Sequence, residues 1–277
     1  MTVNLGICSV SLFDHTPDQA IATAVAAGYG GIEWRVTDAG AGAGTDRFDA
    51  NLCTLAPGEV AEAVAGCVSA GLTVIGLDTY VDSGDRDSAE RAFALAAATG
   101  VPWIRFRAPW RDGTGFRQAF SAATAFVAYL ERRGAVHGVR ALLELHQRTI
   151  CPSASLAHRL LSGTDPAAVG VLYDAGNLMI EGYEDHQIAL ELLGPYLAGV
   201  HLKNVAFDRP PGGGVWRPRW SPLDDGVVDV AGLLAALDAV DFDGWVSLED
   251  FSDDRSPADT AHHNAAVLAR LSVGTPS

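Results

Sequence analysis

Four side chains that can bind a metal ion follow short apolar runs in the second half of the chain: Glu144, Asp174, His201 and Glu249. Each run has the pattern of a buried strand, on which a carboxylate is costly unless it is paired or ligated. Three carboxylates and one imidazole form a mostly oxygen site, which suits Mn²⁺, Mg²⁺ or Co²⁺ better than structural zinc. Strand-end carboxylates also cap helices and form ion pairs, but four such residues on consecutive strands favour a metal site.

Lys203 and His146 are predicted to contact a substrate because each lies two residues beyond a predicted ligand and so shares its face of the strand. Lys203 follows His201 and is the only lysine in a chain with eighteen arginines. This bias indicates a need for a compact ammonium that the planar fork of arginine cannot replace. Lys203 could hydrogen-bond a substrate oxygen or a ligating carboxylate. His146 follows Glu144 and is assigned to the substrate or to the support of a ligand.

Three other charged residues are candidates for substrate binding, each with a structural alternative. Glu33 ends the second strand pattern and could bind a substrate hydroxyl or pair with Arg35. Arg107 and Arg105 should face the interior of the fold or its rim, where Arg107 could hold an anionic or polyol group. Arg217 lies in a segment rich in Trp and Arg, which could equally form a surface loop or a subunit contact. A homo-oligomer is therefore left open.

Eight strand patterns alternate with eight helical patterns, an order typical of βαβ units and a parallel sheet. The strand patterns cover residues 5–10, 31–34, 73–78, 103–108, 140–146, 170–174, 198–203 and 245–249. The helical patterns cover residues 17–28, 57–70, 86–99, 114–134, 153–163, 186–194, 229–240 and 256–271, with predicted caps at Thr16, Ser153, Asp229 and Ser256. This repeat predicts a single α/β domain over residues 1–277, a (β/α)8 TIM barrel whose catalytic groups gather at the carboxyl ends of the strands.

Two local features refine this prediction. No GxGxxG turn follows the first strand pattern, which argues against a dinucleotide-binding sheet. The longest irregular stretch, residues 205–228, follows the seventh strand pattern and is rich in Pro, Gly, Trp and Arg. Loops of this length inside a compact domain are usually functional or disordered. We therefore predict a long loop there, a candidate lid over the barrel mouth.

The composition of the chain limits which partners it can bind and in which cellular compartment we expect it. A chain of 277 residues that is 48% hydrophobic can bury a large core, and its net charge of −15 disfavours binding to a phosphate backbone. No apolar run approaches the ~18–20 residues that span a bilayer, and the first residues lack the pattern of a leader. Of the four scattered cysteines, three lie among apolar or small residues, a setting typical of buried thiols in a reducing compartment. We expect a cytoplasmic protein that binds neither nucleic acid nor membranes.

Six segments give the chain a resemblance to a known superfamily: GICSVSLFD, GYGGIEW, LLELH, VLYDAGN, GVHLKN and GWVSLED. Through them the chain resembles, over nearly its whole length, the xylose-isomerase-like superfamily of sugar phosphate isomerases and epimerases. The resemblance implies one divalent metal on the same four strand-end residues. The chain differs from the usual pattern of the superfamily at two positions: Asn177 stands where many relatives have His, and Asn204 where many have Asp. Asn177 is predicted to affect how a substrate hydroxyl is held, and Asn204 a contact behind the ligands.

These residues could support the chemistry of such an enzyme. A metal chelated by a carbonyl and its adjacent hydroxyl acidifies the neighbouring C–H, and two carboxylates can remove and return the proton. Glu144 and Glu249 are predicted for that pair. The expected function is divalent-metal-dependent isomerisation or epimerisation of a small-molecule polyol substrate: a sugar, sugar acid or cyclitol. A lyase or dehydratase that begins with the same enolate, and a non-catalytic barrel subunit, are the alternatives. A nuclease with a His-rich zinc cluster ranks last, because few strands end in His and the chain is acidic.

Overall fold

A computed structural model of the protein describes residues 4–41 and 50–273. The strands are β1 Asn4–Cys8, β2 Gly31–Val36, β3 Thr73–Asp82, β4 Trp103–Arg107, β5 Arg140–Glu144, β6 Val169–Asp174, β7 Leu197–Leu202, β8 Asn204–Asp208, β9 Arg217–Ser221 and β10 Trp245–Leu248. The α-helices are α1 Pro17–Ala27, α2 Val60–Ser69, α3 Arg86–Thr99, α4 Phe116–His137, α5 Ala154–Leu161, α6 Ala175–Ile180, α7 His186–Leu193, α8 Val230–Ala239 and α9 Pro257–Val273.

Eight of these strands form a closed parallel barrel in the order β1-β10-β7-β6-β5-β4-β3-β2. Closure is made by β1, which pairs with β2 on one side and with β10 on the other. Because every barrel strand runs in the same direction, all carboxyl ends open at one mouth. The predicted (β/α)8 barrel is confirmed.

The barrel interior changes from apolar at its floor to polar at its mouth. Ile75, Trp103, Leu142 and Leu172 form a separate buried cluster inside the barrel. A side chain at position 76 of β3 would overlap the Trp103 ring, because a Cβ built there lies 2.1 Å from a ring carbon, so glycine is required. Trp103, Leu142 and Leu172 are each followed, two residues later on the same face of the strand, by an ionisable residue. The ionisable side chains therefore lie on the mouth side of this apolar cluster.

The helices begin where the sequence places their caps. Thr16 and Gln19 form a capping box at the start of α1. The side chain of Ser153 accepts a hydrogen bond from a backbone N–H of α5, and that of Asp229 does the same in α8. Ser256 accepts one from the N–H of Asp259 at 3.2 Å. All four predicted caps are confirmed, and these helices fix the loops at the barrel mouth.

The structure corrects the prediction of an irregular stretch at residues 205–228. Strands β8 and β9 pair there as an antiparallel hairpin, from Asn204 opposite Ser221 to Asp208 opposite Arg217. The short helix α6, directly after β6, was also not predicted; the Asp174 side chain caps it by accepting from the N–H of Asn177. Among the residues that the structure describes, no helix is long and apolar enough to cross a membrane.

Candidate metal and active site

The four predicted metal ligands lie together at the carboxyl ends of four neighbouring strands. Glu144 and Asp174 end β5 and β6, His201 lies in β7, and Glu249 directly follows β10. Strand register places Asp174 beside His201. None of the four is more than 3% exposed, and one ligand atom of each lies within 4.8 Å of the others. The parallel topology therefore assembles the set that the sequence pattern selected.

One ring nitrogen of His201 is held by protein and the other is left without a partner. Its Nε2 lies 2.8 Å from Glu33 Oε2, and both side chains are fully buried. Its Nδ1 is buried with no hydrogen-bond partner in the described chain, 3.8 Å from Glu144 Oε1 and 3.6 Å from Glu249 Oε2. Burial lowers the pKa of His201, but the surrounding carboxylates outweigh it and raise the pKa well above 6.5. A cation would satisfy this unpaired nitrogen and both carboxylates.

Arg105 supports Glu144 from the floor side of the site. Its Nη1 donates to Glu144 Oε2 at 2.9 Å, which leaves Oε1 for the side facing His201. Its Nε lies 2.5 Å from Asp78 Oδ1 but donates its hydrogen bond to the carbonyl of Thr79 at 3.1 Å. Burial opposes ionisation of Glu144, but Arg105 in particular outweighs burial and holds its pKa well below the usual range. Glu144 is therefore a fixed carboxylate.

Asp78 is a further buried residue of this cluster, which the sequence pattern did not single out. It is 0% exposed, and burial raises its pKa to about 7 although Arg105 opposes the shift. Its position, two residues after Gly76 on the inner face of β3, follows the alternation that identified the other site residues. The alternation could have placed Asp78 on the inner face from the sequence. Its contact with Arg105, by contrast, is visible only in the structure.

Lys203 lies inside the site and binds two of the predicted ligands. Its ammonium is 2.6 Å from Asp174 Oδ2 and also contacts Glu249 Oε2. The rings of Trp220 and Phe251 lie over it, with centroids 5.1 and 4.9 Å from Nζ. Burial lowers the pKa of Lys203, but the carboxylates outweigh it and raise the pKa, so the side chain is a cation. Trp220 is thus the hairpin residue that reaches the site.

Asn177 and Asn204 each hold a neighbouring element. The Asn177 side chain donates to Asp174 Oδ2 at 2.7 Å and to the carbonyl of Leu145 at 3.3 Å, which fixes the orientation of Asp174. Burial raises the pKa of Asp174 to about 6 although Lys203 opposes it. Asn204 accepts from two backbone N–H groups and donates to the carbonyl of Leu223, which anchors the base of the hairpin.

The remaining predicted substrate residues occupy different parts of the mouth. His146 lies edge-on to Trp110, with ring centroids 5.1 Å apart, and its Nδ1 is 2.6 Å from the carbonyl of Gln147. Arg107 faces the mouth and pairs with Asp82 at 2.9 Å. Arg217 is exposed on β9, at the end of the hairpin distant from Trp220 in register. Substrate contacts of these residues, and of Glu33 and Asn177, stay predictions.

Cys8 is also within reach of the predicted ligands, but its chemistry fits a cation poorly. It is fully buried near Glu33 and His201 and also near Asp78 and Glu249. Burial first, and then these carboxylates, raise the pKa of its thiol well above 9. A neutral thiol is a weak ligand. Hard oxygen donors and the free His201 nitrogen therefore define the donor set, which fits a divalent ion such as Mn²⁺, Mg²⁺ or Co²⁺.

Comparison with known proteins agrees with this architecture. The chain is 30% identical to inosose dehydratase of Geobacillus kaustophilus (strain HTA426) over 148 residues, 48% of this chain and 45% of that protein. The chain thus matches less than half the length of this curated relative. The crystal structure of 3-keto-D-glucoside 4-epimerase from E. coli superposes with a TM-score of 0.73 at 19% identity, covering 98% of this chain and 100% of that one.

A xylose isomerase-like TIM barrel protein from Mycobacterium smegmatis, solved in complex with magnesium, superposes with a TM-score of 0.65 at 16% identity, covering 98% of each chain. At such identities the two structural likenesses establish the fold. The sequence profile of the family described as xylose isomerase-like TIM barrel matches residues 21–271. Because this match extends over most of the chain, the protein belongs to the xylose isomerase-like TIM barrel family.

Proposed function

We propose that the protein is a divalent-metal-dependent isomerase or epimerase that acts on a sugar, sugar acid or cyclitol. The observation that carries the proposal is the buried Nδ1 of His201, which has no hydrogen-bond partner among the described residues and lies within 4 Å of carboxylate oxygens of Glu144 and Glu249. Unpaired buried nitrogens are rare in folded proteins and call for an explanation. A cation between these groups supplies one, and with Asp174 completes a four-ligand site.

A divalent ion bound there would polarise a substrate carbonyl and make the adjacent C–H more acidic. Mn²⁺, Mg²⁺ and Co²⁺ all suit three carboxylates and one imidazole. The magnesium complex of the Mycobacterium smegmatis protein supports a cation of this class. Glu33 would orient the imidazole through its 2.8 Å contact with Nε2, as carboxylates do behind many metal-bound histidines.

Glu144 and Glu249 would move the proton. They lie on β5 and just after β10, on two sides of His201, so that each can face a substrate carbon from a different direction. Arg105 keeps Glu144 ionised and fixes one of its oxygens, which leaves the other on the side facing His201. One carboxylate would remove a proton and the other would return it to the opposite face. Lys203 would hold substrate oxygens or the ligands themselves.

A dehydratase acting on a similar polyol is the second candidate, and the similarity to inosose dehydratase supports it. The reaction would begin with the same removal of a proton next to a carbonyl. It would end with loss of a β-hydroxyl group: the carboxylate that removed the proton, or its partner, would give a proton to the departing oxygen, which leaves as water. The same site residues serve both reactions, so the products separate them.

The test is to incubate Mn²⁺-loaded protein with ketoses, inososes and keto sugar acids in D₂O and to follow them by NMR. An isomerase or epimerase yields an isomer carrying deuterium at the carbon that loses its proton, whereas a dehydratase yields a product lighter by one water. Glu249→Gln should abolish either change, while Glu62→Gln, on the exposed face of α2, should not. An isomer formed without deuterium would show a hydride shift and would contradict the proposed proton transfer.

A further inference from the structure

Three arginines surround one tyrosine on the side of the mouth opposite Lys203. The guanidinium carbons of Arg35, Arg105 and Arg107 lie 5.1, 4.6 and 4.9 Å from the centre of the Tyr80 ring. This concentration of positive charge stands out in a protein with a net charge of −15. We call these four residues the arginine cluster.

The cluster adjoins the proposed metal layer on the side of β3 and β4, where strand register places Arg107 opposite Glu144. Tyr80 is two residues beyond Asp78 on β3, and Arg107 is two residues beyond Arg105 on β4, so both occupy the same inner face one step nearer the mouth. Arg105 links the arginine cluster to the proposed metal ligands, because its Nη1 donates to Glu144 Oε2 at 2.9 Å. A substrate bound at Glu144 would therefore extend against the arginine cluster.

Two nitrogens of the cluster have hydrogen atoms to donate and no acceptor. Arg105 Nη2 and Arg107 Nε are buried and lack a hydrogen-bond partner within residues 4–41 and 50–273. Leaving buried donors unpaired is costly, particularly on charged groups. Tyr80 adds a third donor: its oxygen accepts from Arg35 Nε at 2.8 Å, which leaves the phenolic hydrogen free to point elsewhere. The cluster thus holds three donors without an acceptor among the described residues, although Asp78 Oδ1 lies 2.5 Å from Arg105 Nε.

The surroundings of Arg107 fix its plane and limit the charge that it can accept. Its guanidinium lies against Tyr80 and also against Trp110, with 5.1 Å to the Trp110 ring centre. Its Nη2 is already paired with Asp82 at 2.9 Å, and the Asp82 side chain is 51% exposed. A doubly charged phosphate with three acceptor oxygens would meet this carboxylate, whereas a flat, singly charged carboxylate matches the few free donors.

We propose that the arginine cluster binds a carboxylate group of the substrate. The substrate is then a sugar acid or another polyhydroxy carboxylate, with its carbonyl end at the metal layer and its carboxylate at Arg107. This inference rests on the proposed function for the orientation of the substrate. The cluster's preference for an acid is a separate property, which can be measured without turnover.

The experiment compares probes that differ only in the acid group: D-gluconate with D-glucitol, and D-glucuronate with D-glucose. Binding is measured by isothermal titration calorimetry to Mn²⁺-loaded and to EDTA-treated protein. We expect each acid to bind roughly ten- to a hundredfold more tightly than its neutral partner, the range for hydrogen bonds to a charged group. Arg107→Gln should abolish that preference, because the acid of each pair should lose far more affinity than its neutral partner.

Two further variants separate recognition of the acid from a general effect of charge. Arg111→Gln removes a half-exposed rim arginine that pairs with Glu181 and should leave the preference intact. Asp82→Asn removes the carboxylate that competes for Arg107 and should strengthen acid binding. Equal affinities within each pair, including no binding by any probe, would overturn the inference, as would retention of the preference in Arg107→Gln. Failure of the proposed metal site would instead appear as absent Mn²⁺ binding with the acid preference preserved.

Discussion

Replacing Glu33 by Gln should weaken metal binding even though Glu33 is not among the four proposed ligands. Its Oε2 lies 2.8 Å from Nε2 of His201, and both side chains are fully buried. The carboxylate selects the tautomer that leaves Nδ1 free and makes the imidazole a stronger donor. Loss of such a partner typically reduces metal affinity ~10–100-fold, or about 1.4–2.7 kcal/mol.

Two substitutions of Glu33 should weaken Mn²⁺ binding by different amounts. Glu33→Gln keeps an oxygen that can accept from Nε2 and loses the charge, so its effect should fall near the lower end of that range. Glu33→Ala leaves a buried N–H unpaired and should fall at the upper end or beyond. Mn²⁺ affinity is measured by calorimetric titration, with Glu62→Gln on the exposed face of α2 as the matched control.

The same variants decide between two roles for Glu33. If Glu33 serves the metal ligand, the Kd for Mn²⁺ rises, and saturating metal restores much of kcat. If Glu33 instead contacts substrate, one of the two roles that the sequence left open, KM rises and the Kd for Mn²⁺ stays within twofold of wild type. The second outcome would refute the assignment of His201 Nδ1 as the metal-binding nitrogen.

Three further predictions concern the core of the site. Glu144→Gln and Glu249→Gln should each retain the fold by circular dichroism and lose at least ~10²-fold in turnover, a typical contribution of a positioned acid or base; near-normal kcat in either variant would remove it from its proposed role. Lys203→Arg should lower kcat/KM roughly tenfold or more, because the buried space between two carboxylates and two rings fits an ammonium rather than a guanidinium; unchanged kcat/KM would show that any cation suffices. Burial raises the pKa of Asp174 to about 6, and the surrounding carboxylates outweigh burial to raise that of His201 well above 6.5, so protons should compete with Mn²⁺ throughout pH 5–8 and weaken its affinity by up to about tenfold per pH unit for each proton displaced; an affinity independent of pH between 5 and 8 would contradict this.

The barrel and the grouping of the four proposed ligands could be predicted because both depend on regular features of the sequence. Strands and helices alternate with clear caps, and parallel strands all end at one mouth. Glu144 and His201 could then be placed on the inner face by alternation alone. The structure brings them together through strand order, without any rare local conformation.

The contacts around the ligands could not be predicted in the same way. Glu33 and His201 are 168 residues apart, and Arg35 was an equally reasonable partner for Glu33 from the sequence. The link from Asp78 through Arg105 to Glu144 depends on side-chain geometry across three strands. Pairings of this kind are decided by packing, which sequence spacing does not encode.

The hairpin of β8 and β9 was missed for a different reason. Its second strand reads Arg-Pro-Arg-Trp-Ser, which lacks the regular apolar alternation of a half-buried strand and contains a proline. Pairing with β8 and the anchors at Asn204 and Trp220 stabilise it instead. The role of residues 205–228 as a lid stays a prediction.

The most direct test of the central claim is a crystal structure of the protein soaked in Mn²⁺, with anomalous scattering recorded at the manganese edge. The account predicts one strong anomalous peak within bonding distance, ~2.0–2.3 Å, of Glu144, Asp174, Glu249 and the Nδ1 atom of His201. It also predicts that Nε2 of His201 keeps its contact with Glu33. A fully metal-supplied crystal with no peak among these four residues, or with the ion bonded through Nε2, would contradict the account.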